Sequence, residues 1–133
     1  MQEAATAALQ LGKHGGQCVA DMVAQFEQRR QYVVAQLRAI EGLTVVEPQG
    51  AFYVLPDCSA YIGASAHAEG FGPVPDADSL CTYLLEHVHV ACVPGDAFGV
   101  PQCIRISYAA AMPVLEEAMI RLASALHPDR FQR

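Results

Sequence analysis

Lysine is nearly missing from this sequence, and the basic residues form no patch. Lys13 is the only lysine, and apart from the neighbours Arg29 and Arg30 the arginines are scattered. The formal net charge is −6 and the isoelectric point is about 5.2. Binding to nucleic acid requires clustered lysine and arginine side chains that neutralise phosphates, so this composition argues against a nucleic-acid partner.

Paired cysteine motifs and long apolar runs are missing as well. The five cysteines are widely spaced, odd in number and without a CxxC motif. This pattern argues against a zinc knuckle or a disulfide framework and favours a reducing compartment. No apolar run is long enough to cross a membrane, and the opening residues are not typical of a signal or transit peptide. We therefore expect no membrane partner and, from these features alone, a cytoplasmic location.

The sequence does contain enough apolar material for one packed domain. It has 133 residues, of which 53% are hydrophobic and 17% charged. The pattern predicts, in order, a helix over 2–11, a long helix over 19–40, strands over 43–46 and 51–55, a helix from Asp76 or Asp78 to about His87, strands over 88–93 and 103–109, a helix from Pro113, and a polar tail over 129–133. This order predicts an α/β (α+β) fold in which a small mixed sheet is covered by helices.

One long stretch between these elements lacks a clear period. Residues 56–75 are rich in glycine, alanine, serine and proline. Because the stretch lacks the period of a helix or a strand, we predict a long surface excursion there. Structureless loops of this length are uncommon inside a packed domain. With few large apolar side chains to bury, it is also expected to be the least ordered internal segment.

Arg105 is the first candidate for a binding residue. It lies in the middle of a predicted strand, between Ile104 and Ile106. A guanidinium in such a position needs either solvent or an anion, and its planar fork matches a carboxylate through two hydrogen bonds. The alternation predicts that Arg105 shares a face with Cys103 and Ser107. An arginine on the solvent face of a half-exposed strand remains the alternative.

Other candidate sites have weaker support. Residues 94–99 form a glycine-bounded turn, which is either a ligand-contacting loop or an ordinary connection. His87, His89 and Cys92 are close in sequence but lack a fourth ligand at a sensible spacing, so no metal site is expected. A nucleophile motif and a glycine-rich phosphate loop are both missing from the sequence.

Three short segments, taken together, resemble a known family. They are Pro48-Gln49-Gly50-Ala51-Phe52-Tyr53, Val93-Pro94-Gly95-Asp96-Ala97-Phe98-Gly99 and Ile104-Arg105-Ile106-Ser107-Tyr108-Ala109. In this order they resemble the C-terminal part of class I aminotransferases, and the likeness extends over nearly the whole chain. Residues 58–63 and 69–72 are similar to the prokaryotic-type aspartate aminotransferase of plant and algal plastids, which also transaminates prephenate.

The resemblance implies a fold, a cofactor and substrates. Residues 1–133 would be the C-terminal small domain of a fold-type I transferase that depends on pyridoxal 5′-phosphate (PLP). The whole enzyme would be a homodimer in the plastid stroma, moving amino groups between aspartate or glutamate and 2-oxoglutarate or oxaloacetate, with prephenate as a further acceptor. The arginine of the third segment binds the substrate α-carboxylate in this family, and that role maps onto Arg105.

The same resemblance implies what this chain does not supply. The family's Schiff-base lysine lies upstream, in the large PLP-binding domain, within a motif that nothing here matches. Lys13 follows an alanine-rich helix in a glycine-flanked segment, and we interpret it as a surface-loop lysine. We therefore expect a fragment without catalytic, cofactor-binding or metal-binding residues of its own, which would be inactive alone.

Two alternatives remain open. The chain could be a free-standing α/β module for binding or regulation that reuses this domain. It could also belong to another fold-type I PLP enzyme, such as a relative of aminocyclopropane-carboxylate synthase. A Ser-x-x-Lys motif in the reading frame before Met1 would distinguish an aminotransferase fragment from a module.

Overall fold

A computed structural model describes residues 1–12 and 15–132. Four α-helices and six short strands follow one another along the chain. The helices are α1 (Gln2–Gln10), α2 (Gly16–Arg38), α3 (Ala77–Val88) and α4 (Met112–Ala125). The strands are β1 (Tyr53–Val54), β2 (His67–Ala68), β3 (Gly72–Pro73), β4 (Val93–Pro94), β5 (Ile104–Ser107) and β6 (Phe131–Gln132). Short 3₁₀ helices cover Ser59–Tyr61 and Gly95–Phe98.

The strands form two small sheets, ordered β1-β5-β4 and β3-β2-β6. In the first sheet Tyr53 pairs with Ser107, and Val93 pairs with Arg105. Helix α4 contacts both α2 and α3. The predicted α/β class is confirmed, with one difference. Every described strand pair is antiparallel, so two antiparallel sheets replace the single mixed sheet that was expected.

Helices α2 and α3 show how local sequence sets a helix start and a buried face. Helix α3 begins at Asp76, whose carboxylate accepts hydrogen bonds from the Ser79 backbone N–H at 2.8 Å and the Ser79 hydroxyl at 2.7 Å. Helix α2 buries only its C-terminal half, through Val33, Val34 and Leu37. Its N-terminal half carries the same apolar stripe but leaves it open to solvent. The predicted stripe is therefore correct, but only part of it belongs to the core.

Two predicted strands are wrong. Residues 43–46 contribute only an isolated bridge between Thr44 and Asp57. Residues 88–93 begin with the last residue of α3, and His89 then adopts a left-handed conformation with φ of 56°. This turn redirects the chain, so strand pairing begins only at Val93. Leu43, Val45, Val88 and Cys92 pack against the core outside a ladder, whereas Val46 is 79% exposed.

The predicted surface excursion is also wrong, because residues 56–75 are packed. The buried residues of this stretch are Pro56, Cys58, Tyr61, Ala66, Ala68 and Val74. Strands β2 and β3 form a hairpin within it, and β6 pairs with β2 on the other side. Two of the buried residues, Ala66 and Ala68, are small, which explains why the stretch shows no large-residue periodicity.

The C-terminal segment is not the polar tail that was predicted. Phe131 is 1% exposed, and its ring meets those of Tyr61 and Tyr83 at centroid distances of 5.2 and 5.8 Å. The Glu69 backbone N–H donates to the Arg130 carbonyl at 2.8 Å. This segment therefore closes one edge of the second sheet. None of the helices described is long and apolar enough to cross a membrane.

Candidate carboxylate-binding site

The three sequence segments that carry the resemblance come together at strand β5. The first segment supplies β1, which pairs with one side of β5, and the second supplies β4, which pairs with the other side. The predicted alternation is confirmed within β5, because Ile104 and Ile106 are buried while Arg105 is half-buried and Ser107 exposed; Cys103, predicted on the face of Arg105, is buried just before the strand. Arg105 thus lies on the outer face of the central strand, where the three segments meet.

Two aromatic rings cover the Arg105 guanidinium. Its Cζ atom lies 5.5 Å from the centre of the Tyr53 ring and 5.1 Å from the centre of the Phe98 ring. The two rings are 6.3 Å apart, so the cation and the rings form a compact triangle. Both distances are within the range of a cation–π interaction.

The guanidinium of Arg105 has no anionic partner among the described residues. No hydrogen bond or salt bridge to it is formed within residues 1–12 and 15–132, and its Nε is buried without an acceptor. Arg30 provides a contrast: its Nη groups bind Glu27 and the Pro48 carbonyl, both at 2.6 Å. Although the chain has 14 acidic residues, none of those described pairs with Arg105, so its guanidinium is free to bind an anion from outside the described residues.

The turn that carries Phe98 is fixed by a close backbone approach at Gly95. The Gly95 N–H donates to the Cys103 carbonyl at 2.8 Å, and its carbonyl accepts from Val100 at 3.1 Å. A Cβ atom on Gly95 would collide with the carbonyl oxygens of Val100 and Cys103. The predicted turn over residues 94–99 is therefore a short 3₁₀ helix that is locked against the start of β5.

A groove of about 450 Å³ lies beside the same segments. Its wall from α2 includes Phe26 and Arg30, and its opposite wall includes Ala51, Phe52 and Tyr108. The Tyr108 hydroxyl donates to the Ala51 carbonyl at 3.3 Å, and burial raises the pKa of this phenol. The Arg30 Nη groups are already bound to Glu27 and the Pro48 carbonyl, while its Nε is buried without an acceptor, so the surface that this groove offers is mainly apolar.

The described residues do not fit a PLP site by themselves. The cofactor requires an amine, a phosphate cradle and an acidic partner for its ring. The single lysine of the chain, Lys13, lies outside the described residues. Four cavities are lined by described residues. None of them combines a free basic group for the PLP phosphate with a free acidic group for the PLP ring. What the described part does offer is Arg105, a half-buried arginine without an anionic partner among the described residues.

The buried cysteines and the possible metal ligands among the described residues form no candidate site either. Burial raises the pKa of the Cys58 thiol, and it raises the pKa of Cys81 and of Cys92 to about 12. Such thiols are poor nucleophiles near neutral pH. Within the described part of the chain, no three His, Cys, Asp or Glu side chains are arranged to hold a metal ion. His87 instead packs edge-on against Phe71 and beside Tyr83.

Sequence reasoning identified Arg105 but missed its neighbours. Tyr53 and Phe98 are both in the motif segments, yet nothing in their local pattern shows that they contact a cation. One signal was present. Tyr53 pairs with Ser107, which is two residues from Arg105 on β5, so Tyr53 and Arg105 lie on the same face of the antiparallel ladder. That register could be assigned only after the strand pairing was known.

The chain matches the sequence profile of the family Aminotransferase class I and II over residues 1–126. It is 50% identical over 125 residues to the bifunctional aspartate aminotransferase and glutamate/aspartate-prephenate aminotransferase of Petunia hybrida, covering 94% of this chain and 26% of that protein. It is 45% identical over 125 residues to an aspartate aminotransferase of Pinus pinaster, covering 94% and 25%.

A solved structure agrees with these relatives. The aspartate aminotransferase from Rhizobium meliloti superposes with a TM-score of 0.77 at 39% identity, covering 85% of this chain and 27% of that one. The chain therefore spans about a quarter of the length of the proteins it matches. Both the predicted resemblance and the fold type that it implies are confirmed, and this chain belongs to the class I and II aminotransferases.

Proposed function

We propose that residues 1–133 are the C-terminal small domain of a PLP-dependent aminotransferase, in which Arg105 binds the α-carboxylate of the substrate. One observation carries this proposal. Arg105 is held at the meeting point of the three family segments with its guanidinium unpaired by any described residue. A planar, permanently charged fork in that state is suited to a carboxylate that arrives from outside.

The chemistry of this chain is binding and orientation. A carboxylate on Arg105 fixes one end of the amino acid, and this restricts the direction in which the Cα–H bond points. Such orientation lowers the entropic part of the barrier for proton removal. PLP, when bound to the complete enzyme, supplies the electron sink for the reaction. Its lysine, its phosphate cradle and the acidic partner of its ring belong, in this proposal, to the large domain of the complete protein.

The substrate class follows from the relatives. The Petunia protein is named for aspartate, glutamate and prephenate, and the pine protein for aspartate. We assign to the complete enzyme amino transfer between aspartate or glutamate and 2-oxoglutarate or oxaloacetate, with prephenate as an additional acceptor. The likeness to plant proteins favours the plastid stroma over the cytoplasm as its location.

A homodimer is also part of the proposal, and the exposed apolar residues support it. Leu9 and Leu11, at the end of α1, are 82% and 57% exposed, and Met22 and Val23 on α2 are 51% and 57% exposed. Apolar surface of this kind on a soluble chain marks contact with another part of a protein or another subunit. In the complete enzyme the large domain and the second protomer would cover it.

A chimera tests the function. The corresponding segment of the Rhizobium meliloti aspartate aminotransferase, 39% identical, is replaced by this chain, and aspartate-to-2-oxoglutarate transfer is measured. We expect an active chimera in which Arg105→Lys lowers kcat/KM about ten- to hundredfold, because a point charge cannot replace the bidentate fork. Arg121→Lys is the matched control, since Arg121 pairs with Glu117 on the surface. An Arg105→Lys chimera with unchanged kcat/KM contradicts the assignment.

A second experiment addresses the chain alone. The purified 133-residue protein is mixed with PLP, reduced with borohydride and digested for mass spectrometry. We expect neither a specific adduct on Lys13 nor amino transfer, because a covalent site requires an amine of lowered pKa beside bound phosphate. A stoichiometric adduct together with activity would show that this chain contains its own active site. If the chimera is also inactive, the free-standing module is favoured.

A further inference from the structure

We propose that Tyr53 and Phe98 are positioning residues that hold the Arg105 guanidinium ready for a carboxylate without occupying its hydrogen-bond donors. We call this pair the ring support. The inference rests on the proposed function of Arg105 as the carboxylate-binding residue. It adds to that function a device that explains how a long, flexible side chain is kept in place when no ligand is bound.

Arg105 lacks an acidic partner among the described residues. An arginine side chain loses about 2 kcal/mol of rotamer entropy when it is fixed, and an ion pair is the usual compensation. None of the acidic groups in the described residues lies within salt-bridge distance of Arg105. The contacts that do restrain it are the two rings, at 5.5 and 5.1 Å from Cζ.

The backbone fixes both rings. Tyr53 is paired with Ser107, so its side chain is the diagonal neighbour of Arg105 across the β1–β5 ladder. Phe98 ends the 3₁₀ helix that begins at Gly95, where one backbone hydrogen bond to Cys103 ties the turn to the residue before β5 and a second, from Val100, closes the turn itself. The rings are therefore placed by the sheet and by the turn, independently of any ligand.

A carboxylate neighbour would hold the guanidinium more strongly, but it would accept the N–H bonds that the substrate needs. An aromatic face attracts the cation through its quadrupole and accepts no conventional hydrogen bond in the plane of the fork. The ring support therefore restrains Arg105 and leaves its N–H donors free to form hydrogen bonds. Phe98 is 40% exposed, so its apolar burial alone does not account for its place beside the cation.

The experiment follows the Arg105 guanidinium directly in the intact chain by ¹⁵N-detected NMR of arginine side chains. The rate of rotation about the Cζ–Nε bond is measured in wild type, Tyr53→Leu and Phe98→Leu. Phe52→Leu is the matched control, because Phe52 is exposed and contacts Tyr53 but has no cation–π contact with Arg105. Tyr53→Phe and Phe98→Tyr keep the rings and serve as the rescue variants.

We expect each leucine variant to accelerate the rotation about two- to fivefold, the change that corresponds to one exposed cation–π contact. The control and the two ring-retaining variants should keep the wild-type rate. Unchanged rotation in both leucine variants overturns the inference, as does equal acceleration in Phe52→Leu. Backbone amide spectra of β5 identify any variant that unfolds, and the other leucine variant then decides.

Acetate separates this inference from the proposed function. In wild type, a titration with acetate should shift the Arg105 Nε signal, and each leucine variant should bind acetate about two- to fivefold more weakly. If wild type does not respond to acetate, the carboxylate role fails while the rotation rates still decide the ring support. If wild type responds and rotation is unchanged in both leucine variants, the carboxylate role stands and the ring support is wrong.

Discussion

Replacing Phe131 with alanine should remove one of the largest single contributions to the stability of this domain. The side chain is 1% exposed and forms edge-to-face pairs with Tyr61 and Tyr83. Truncating a buried phenylalanine to alanine costs about 3–5 kcal/mol, a range that includes aromatic pairs of this kind. Because Phe131 is near the end of the chain, the mutant can release the segment after α4 instead of keeping a cavity. We therefore expect the lower end of the range, about 3 kcal/mol.

The assay is urea unfolding of the purified chain at low micromolar concentration, followed by far-ultraviolet circular dichroism. With a slope of about 1.5 kcal/mol per molar, the midpoint should fall by about 2 M. Hydrogen exchange at the Glu69 amide gives a local readout, since that N–H donates to the Arg130 carbonyl next to Phe131. Phe52→Ala is the control, because Phe52 is 49% exposed and its loss should cost under about 0.5 kcal/mol. An unchanged midpoint together with a protected Glu69 amide in Phe131→Ala would refute the reasoning.

Three further predictions concern backbone, charge and thiols. Gly95→Ala should lower the free energy of unfolding by about 1–3 kcal/mol, because the added methyl meets two backbone carbonyls, whereas Gly50→Ala meets open space and should be nearly neutral in the same urea assay. Asp76→Ala should lower the free energy of unfolding by about 1 kcal/mol at pH 7. The hydrogen bonds from Ser79 hold the pKa of Asp76 below its usual value in the folded protein. The stability that Asp76 contributes is therefore present above its unfolded-state pKa and is lost as the pH falls through the lower folded-state pKa. Asp76→Asn keeps the cap and should show no such loss in acid-dependent melting curves. Iodoacetamide at pH 8 should modify the exposed Cys18 quickly and the buried Cys58, Cys81 and Cys103 only after unfolding. Mass spectrometry counts the modified thiols. If a second thiol reacts at the rate of Cys18, the burial of these cysteines is contradicted.

The sequence was sufficient for the helices and for the central strand. Periodic apolar residues and the Asp76 cap are local signals, and they placed α3 to within a residue at its start. The alternation on β5 correctly separated Ile104 and Ile106 from Arg105. These features depend only on neighbouring residues, so a pattern in the chain is enough to reveal them.

The failures share a different physical cause. Residues 56–75 were expected to be a surface excursion because small residues carry little hydrophobic signal, yet Ala66 and Ala68 are buried, and Ala68 pairs with Phe131 from beyond α4. Phe131 was counted in a polar tail because one aromatic among charged residues has no period. Tyr53 and Phe98 contact Arg105 only because of the strand register and the hydrogen-bonded turn at Gly95. What decided each case was a contact between distant segments, which local patterns do not encode.

The arrangement of the three segments around β5 also has a consequence for how this domain acquires its site. The Tyr108 hydroxyl and the Ala51 carbonyl that it binds are 57 residues apart, and the pairing of Tyr53 with Ser107 joins segments at a comparable separation. Closing loops of that size costs chain entropy that no local contact repays, so such pairings form late and slowly. A nascent or partly unfolded chain can therefore contain all four helices and still lack a carboxylate site. We therefore expect Arg105 to gain its aromatic neighbours only after these distant segments have paired, so the proposed carboxylate site should form late in folding.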